Sequence, residues 1–195
     1  RHVAGNIYET DLDRNAANFI PQTPLGFLDW SADVYPEKTA VIHGETSFTY
    51  REFRERALRL ASALKKRGIG KGDTVAIMAP NSPPMLEAHF GVPMSGAVLN
   101  ALNFRLDSET IAFILAHGEA KVLITDREYA GVIKHALVAH GGDIIVIDTD
   151  DPLAPEGVLL VETDYEQFLS EGDPHFNWIM PDDEWQAICL NYTSG

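Results

Sequence analysis

Only one cysteine, Cys189, occurs in 195 residues, so the chain can form neither an internal disulfide nor a zinc cluster or redox pair built from cysteines. A reducing compartment follows, and a cytoplasmic protein is expected. Positive charge is also scarce: 15 Lys plus Arg stand against 29 Asp plus Glu, a formal charge of -14. Such a field repels phosphate backbones and anionic lipid surfaces, which removes nucleic acid from the expected partners. A small anion is not excluded, because backbone N–H groups and one or two cations can hold phosphates inside an acidic protein. Long apolar runs are missing as well. The longest mostly apolar stretch, Ala88 to Leu102, is short and interrupted by Gly and Pro, so no membrane span is expected, and Arg1 to Thr10 has no signal-peptide core. Internal repeats, low-complexity tracts and linkers are absent from the pattern.

What remains is 45% apolar and 23% charged, the balance of a globular protein with a sizeable core. Leu25 to Val34 carries Leu25, Leu28 and Ala32 near helical spacing. Thr39 to His43 and Ser47 to Tyr50 read as a hairpin turning at Gly44, Glu45 and Thr46. From Arg51 to Arg67 the positions Phe53, Ala57, Leu60, Ala61 and Leu64 form one helical face, ending in Lys65, Lys66 and Arg67 before Gly68. Short apolar strands are expected at Thr74 to Met78, Ala97 to Leu102, Lys121 to Thr125, Asp143 to Asp148 and Trp185 to Leu190. Between them lie helical patterns: one opening at Ser82-Pro83 and kinked or shortened by Pro93, one capped by Asp107, and one over Glu128 to Ala139. A short helix is read at Tyr165 to Leu169. Strands of about five residues alternating with helices predict an α/β fold, a mostly parallel sheet flanked by helices.

Several apparent motifs carry no chemistry. Gly68-Ile69-Gly70-Lys71-Gly72-Asp73 superficially resembles a dinucleotide fingerprint, but the helix precedes the glycines and the strand follows, the reverse of the required order. His43, His89, His117, His135 and His140 show no metal-site spacing and read as satisfied or exposed. Asp148, Asp150 and Asp151 lack the order of a calcium loop and read as a solvated acidic loop, and Asp182-Asp183-Glu184 as a turn. Cys189, alternating with apolar neighbours, reads as a small buried apolar residue. Tyr192-Thr193-Ser194-Gly195 places two hydroxyls and a glycine after an apolar run, where a backbone can aim N–H groups at an anion. On these four residues alone an ordinary turn is the better reading.

Taken in order, several segments resemble the adenylate-forming family of acyl-CoA synthetases, luciferases and peptide-synthetase adenylation domains. Phe48-Thr49-Tyr50-Arg51-Glu52-Phe53 looks like its first core motif. Gly68 to Ile77 looks like the entry to its next strand, and Asn81 through Asn100 and Leu106 like its second motif region. Asn191 to Gly195 looks like the start of its Thr-Ser-Gly-Thr-Thr-Gly-x-Pro-Lys-Gly phosphate loop. Asn81 to Asp107 is most similar to the branch of medium-chain acyl-CoA synthetases and methylmercaptopropionate-CoA ligases. The resemblance implies the first part of a large N-terminal AMP-binding domain, with a mobile C-terminal domain and the catalytic residues beyond Gly195. It implies a carboxylate attacking the α-phosphorus of ATP, then acyl transfer to coenzyme A with release of AMP and pyrophosphate. ATP, Mg2+ and coenzyme A are the implied cofactors and co-substrates. A short- or medium-chain acid is the implied partner, within fatty acid metabolism, and Thr193, Ser194 and Gly195 would bind ATP phosphates. Residues 1–195 alone are expected to be inactive, and the oligomeric state stays open, a homodimer included. Transfer to a carrier protein or to oxygen, and a non-enzymatic α/β binding module, are the competing readings.

Overall fold

The computed structural model describes residues 6, 8 and 10–193. Helical spacing of Leu25, Leu28 and Ala32 yields helix α1 (Leu25–Val34), with those three side chains buried. Strands β1 (Thr39–His43) and β2 (Thr46–Thr49) form an antiparallel hairpin. Its corner is Gly44, at φ +57°, a conformation that strains any residue with a Cβ. The turn is tighter than the sequence reading, since Thr46 already pairs with His43 and Tyr50 opens the next helix.

Helix α2 (Tyr50–Lys66) begins at a capping box. The Thr49 hydroxyl accepts the Glu52 amide at 3.2 Å, and the Thr49 amide donates to Glu52 Oε2 at 2.8 Å. These contacts hold the Glu52 carboxyl below its ordinary range, the backbone bond from Thr49 contributing most. Phe53, Leu60 and Leu64 are buried as the period requires. Arg54 and Arg59, which lie off that apolar face, are nonetheless half-buried. Arg54 reaches Asp33 of α1 at 2.5 Å, and Arg59 donates to the Gly172 carbonyl at 3.0 Å. Thr49→Ala removes the hydroxyl half of the box and leaves the Thr49 amide to Glu52, so urea unfolding should show a loss of about 1 kcal/mol. Because the Glu52 shift is downward, its share is present above the unfolded pKa and disappears as pH falls through the folded one. A Thr49→Ser variant should keep the stability.

The chain then builds a four-stranded parallel sheet from β3 (Thr74–Met78), β4 (Val98–Ala101), β5 (Ala120–Asp126) and β6 (Ile145–Thr149), in the order β4-β3-β5-β6. Parallel neighbours need crossovers, supplied by α3 (Pro83–Met94), α4 (Ser108–His117) and α5 (Ala130–His140), the last entered through a single 3-10 turn at Arg127–Tyr129. Pro83 occupies the first turn of α3, where its missing N–H costs nothing, and Pro93 falls one residue before the end. Ser82 stands at the cap position but accepts no amide; its hydroxyl donates to the Pro80 carbonyl at 3.3 Å. Asp107 does cap α4, accepting the Thr110 amide at 2.8 Å.

Alternation along the strands sends side chains to two layers. Val75, Ile77, Leu99, Val122, Ile124 and Ile147 pack under α2, α3 and α6 (Tyr165–Ser170). Ala76, Met78 and Leu123 pack under α4 and α5. The glycine-bearing stretch after α2 is a helix-to-strand connection, with Gly68 at φ +79° and Gly72 at φ +84°. Among the described residues no helix is long and apolar enough to cross a membrane.

The expected strand Trp185 to Leu190 is not a ladder. One bridge, Cys189 beside Leu99, joins it to β4 through Leu99 N–H to the Ile188 carbonyl at 3.1 Å and Leu190 N–H to the Leu99 carbonyl at 2.8 Å. Its first residues turn on side-chain bonds instead: Asp183 Oδ1 accepts the Trp185 amide at 2.7 Å, and Gln186 Oε1 accepts the Asp182 amide at 3.1 Å. Local acceptors of this kind compete with ladder formation. Trp185 is 96% exposed, and Cys189, expected to be buried, is exposed too.

Candidate functional site

β3 sends the chain to α3 on one face of the sheet and β5 sends it to α5 on the other, while β3 and β5 lie side by side. Ligands in open α/β sheets bind outside the carboxyl ends of such neighbouring strands. A cleft of about 350 Å³ opens near that point, lined by Ser82 and Pro83 after β3, Asp150 and Asp151 after β6, and Arg56 and Tyr165 from the helices.

Its charged groups are already engaged. Arg56 places Nε 2.6 Å and Nη2 3.3 Å from the two oxygens of Glu87, which is 1% exposed, and also grips Glu166 at 2.5 and 2.9 Å. The Tyr165 hydroxyl donates to Glu87 at 2.9 Å. Burial pushes the Glu87 carboxyl up, while Arg56 pulls it back. His43 pairs with Asp151 at 2.8 Å, Asp150 lies 2.8 Å from Arg127, and Asp164 caps α6 through the Gln167 amide at 2.7 Å. Each of these groups is already paired within the fold, so the cleft joins the elements that line it.

The acidic stretch is a solvated loop only in part: Asp150 is exposed, but Asp148 sits on β6 and its neighbourhood is closed. Asp148 and Asp151 are buried, as is Asp126 beside them. Asp148 Oδ2 accepts the amides of Leu160 and Val161 at 2.5 and 2.7 Å, and burial still pushes its carboxyl up against their pull. Asp126 Oδ2 accepts the Thr149 hydroxyl at 2.7 Å and the Asp151 amide at 3.1 Å. One oxygen of each thus takes donors from the loop and the strand end, while the buried Oδ1 of Asp148 has no partner. Among the described residues no three His, Cys, Asp or Glu side chains converge as a metal site.

The remaining candidate lies at the β4 edge. After Cys189 the chain runs parallel to β4, and Tyr192 settles half-buried against the layer under α4. Its hydroxyl lies 2.7 Å from Nδ1 of His117, the last residue of α4. Thr193 follows, exposed to solvent. Ser194 and Gly195, the other two residues read as phosphate-binding, lie outside the described residues. Sequence reasoning missed the His117–Tyr192 pair, whose partners are 75 residues apart. The only local hint was an aromatic residue directly before two hydroxyls.

Residues 28–195 match the AMP-binding enzyme family. The chain belongs to that family. It is 44% identical over 197 residues to the peroxisomal acetate/butyrate–CoA ligase of Arabidopsis thaliana, and equally identical to an acetate–CoA ligase of Humulus lupulus. Each alignment covers 95% of this chain and 35% of the relative, so the chain spans about a third of the length of the curated relatives it matches. Among solved structures, a fatty acyl CoA synthetase of Mycobacterium tuberculosis superposes with a TM-score of 0.69 at 27% identity, over 87% of this chain and 32% of that one. An anthranilate CoA ligase in complex with anthranoyl-AMP superposes with a TM-score of 0.81 over 93% of this chain and 34% of that one. At 20% identity the latter likeness shows the fold alone. The α/β architecture expected from the sequence is therefore that of the family's solved CoA ligases.

Proposed function

We propose that the whole protein is an AMP-forming acid–thiol ligase: it joins a carboxylic acid to AMP at the expense of ATP, then passes the acyl group to coenzyme A. The observation that carries this is the pair of relatives named as acetate/butyrate– and acetate–CoA ligases, each aligned over 95% of the chain. Those names favour coenzyme A over a carrier protein as acceptor, and a short-chain aliphatic acid within the short- to medium-chain range. Residues 1–195 would be the first part of the large N-terminal domain, with Thr193, Ser194 and Gly195 opening the loop that binds ATP phosphates. Hydroxyl and backbone donors at that point suit phosphate oxygens, and Thr193 is exposed where the chain leaves the sheet. Mg2+ enters as the companion of the ATP phosphates. The lone cysteine favours a cytoplasmic location, and the peroxisomal name of the Arabidopsis relative supplies the compartment against which fractionation should compare it.

The test is a panel of acids, acetate, butyrate, octanoate and benzoate, each supplied with ATP, magnesium and coenzyme A to the purified whole protein. AMP and pyrophosphate should appear, fastest with acetate or butyrate. ADP and phosphate in their place would remove the protein from the AMP-forming class. Turnover of benzoate alone would overturn only the choice of acid.

A further inference from the structure

His117 is held from both sides. Phe113, one turn earlier on α4, stacks on its ring at 5.3 Å and 19°, and the ring of Tyr192 meets it edge-on at 5.8 Å. The next residue, Gly118, makes room for the crossing segment: a Cβ there would stand 3.2 Å from Leu190 Cδ2, 3.4 Å from the Tyr192 hydroxyl and 3.0 Å from the Ile114 carbonyl. One residue pair thus fastens the segment from the side, through the 2.7 Å His117–Tyr192 contact, while the Leu99 carbonyl fastens it from the sheet through the Leu190 amide at 2.8 Å. Both fasteners sit within three residues of Thr193. Little else is available for this purpose, since the segment forms a single bridge with β4.

We propose that His117 and Tyr192 are positioning residues that fix where the chain leaves the sheet, and so set how well the loop beginning at Thr193 receives the phosphates of ATP. This rests on the reading of Thr193 as the start of the phosphate loop. Removing a fastener that acts alike on bound ATP and on the transition state raises the KM for ATP without lowering kcat. One hydrogen bond of this kind is worth roughly a tenfold change in affinity.

Tyr192→Phe keeps the ring and removes the hydroxyl, and His117→Leu removes the partner. In the whole protein each should raise the KM for ATP about tenfold, leaving kcat and the KM values for acid and coenzyme A within about twofold. The double variant should be no worse than either single one, because both remove the same interaction. His117→Asn, whose amide reaches the place of Nδ1, should restore ATP affinity to within about threefold of wild type. Gly118→Ala keeps both partners but displaces Leu190 and Tyr192, and should reproduce the selective rise in the KM for ATP. An unchanged KM for ATP, or a parallel rise of all three KM values, would overturn the proposal. So would a loss of thermal stability with no kinetic change. A wild-type protein that exchanges no pyrophosphate into ATP would instead refute the ligase reading itself, a result the variants cannot mimic.

Discussion

Replacing Arg56 with leucine should cost about 3–5 kcal/mol of unfolding free energy at pH 8 and distinctly less at pH 5, because it strands a buried carboxylate. Arg56 supplies two of the three donors to Glu87; the third is the Tyr165 hydroxyl. Its contacts to Glu166 matter less, since Glu166 is 66% exposed and water screens that pair. Burial already pushes the Glu87 carboxyl upward and Arg56 is the main opposing cause, so removing Arg56 raises the folded pKa further above the unfolded 4.5. The sign follows: the stability of the variant is fully present below the unfolded pKa and is lost as pH rises through the folded one. Urea titrations of both proteins at pH 5 and pH 8 measure this. An equal deficit at the two pH values would show that Glu87 does not bear the loss. Changing Arg56 and Glu87 together to methionine should recover most of the deficit, leaving roughly 1 kcal/mol for the unpaired Tyr165 hydroxyl.

Gly91→Ala should destabilise the protein although it places a better helix former inside α3. Helix propensity favours alanine there by about 0.5–1 kcal/mol. Against that, the new Cβ would lie 2.8 Å from the Ala57 carbonyl and 2.8 and 2.9 Å from Leu60 Cδ2 and Cβ. The tip of Leu60 can rotate, but its Cβ and a helix carbonyl cannot, so α2 and α3 must separate. Overpacking of this kind costs about 1–3 kcal/mol, enough to reverse the sign. Gly91→Val should lose more than 3 kcal/mol, as a larger insertion at the same point. Gly131→Ala in α5 is the control: nothing lies within 4 Å of its Cβ, so propensity acts alone and stability should rise by about 0.5–1 kcal/mol. A Gly91→Ala protein as stable as wild type would mean that the two helices are not in contact at this glycine.

The segments that sequence placed well are those whose signal is local. The period of Phe53, Leu60 and Leu64, the Asp107 cap and the Pro83 start all depend on neighbours within two turns of helix. The failures come from side-chain contacts that an apolar pattern does not record. Asp148 and Asp151 read as solvated by composition, yet amides from Leu153, Leu160 and Val161 and the ring of His43 fold over them. Apolar alternation at Trp185 to Leu190 suggested a full strand, but Asp183 and Gln186 captured the amides locally and left one bridge. Of the proposed site, Thr193 could be named from sequence because a motif is contiguous; the His117–Tyr192 contact could not, since nothing near either residue in the chain names the other.

Order along the chain and order across the sheet differ in a way that bears on synthesis. β3, made first, lies inside, and β4 and β5 are added to its two sides, β6 to the flank of β5. Each strand after β3 therefore emerges to find a finished partner. Val98 meets Thr74 and Ile145 meets Val122 across only about 23 or 24 residues, and closing such short intervals costs little entropy. The bridge between Leu99 and Cys189 is different, since its halves are separated by every other strand and helix made after β4. The nascent sheet can thus be complete while the segment destined for its β4 edge has yet to be translated, and that edge must wait, open, until Cys189 arrives.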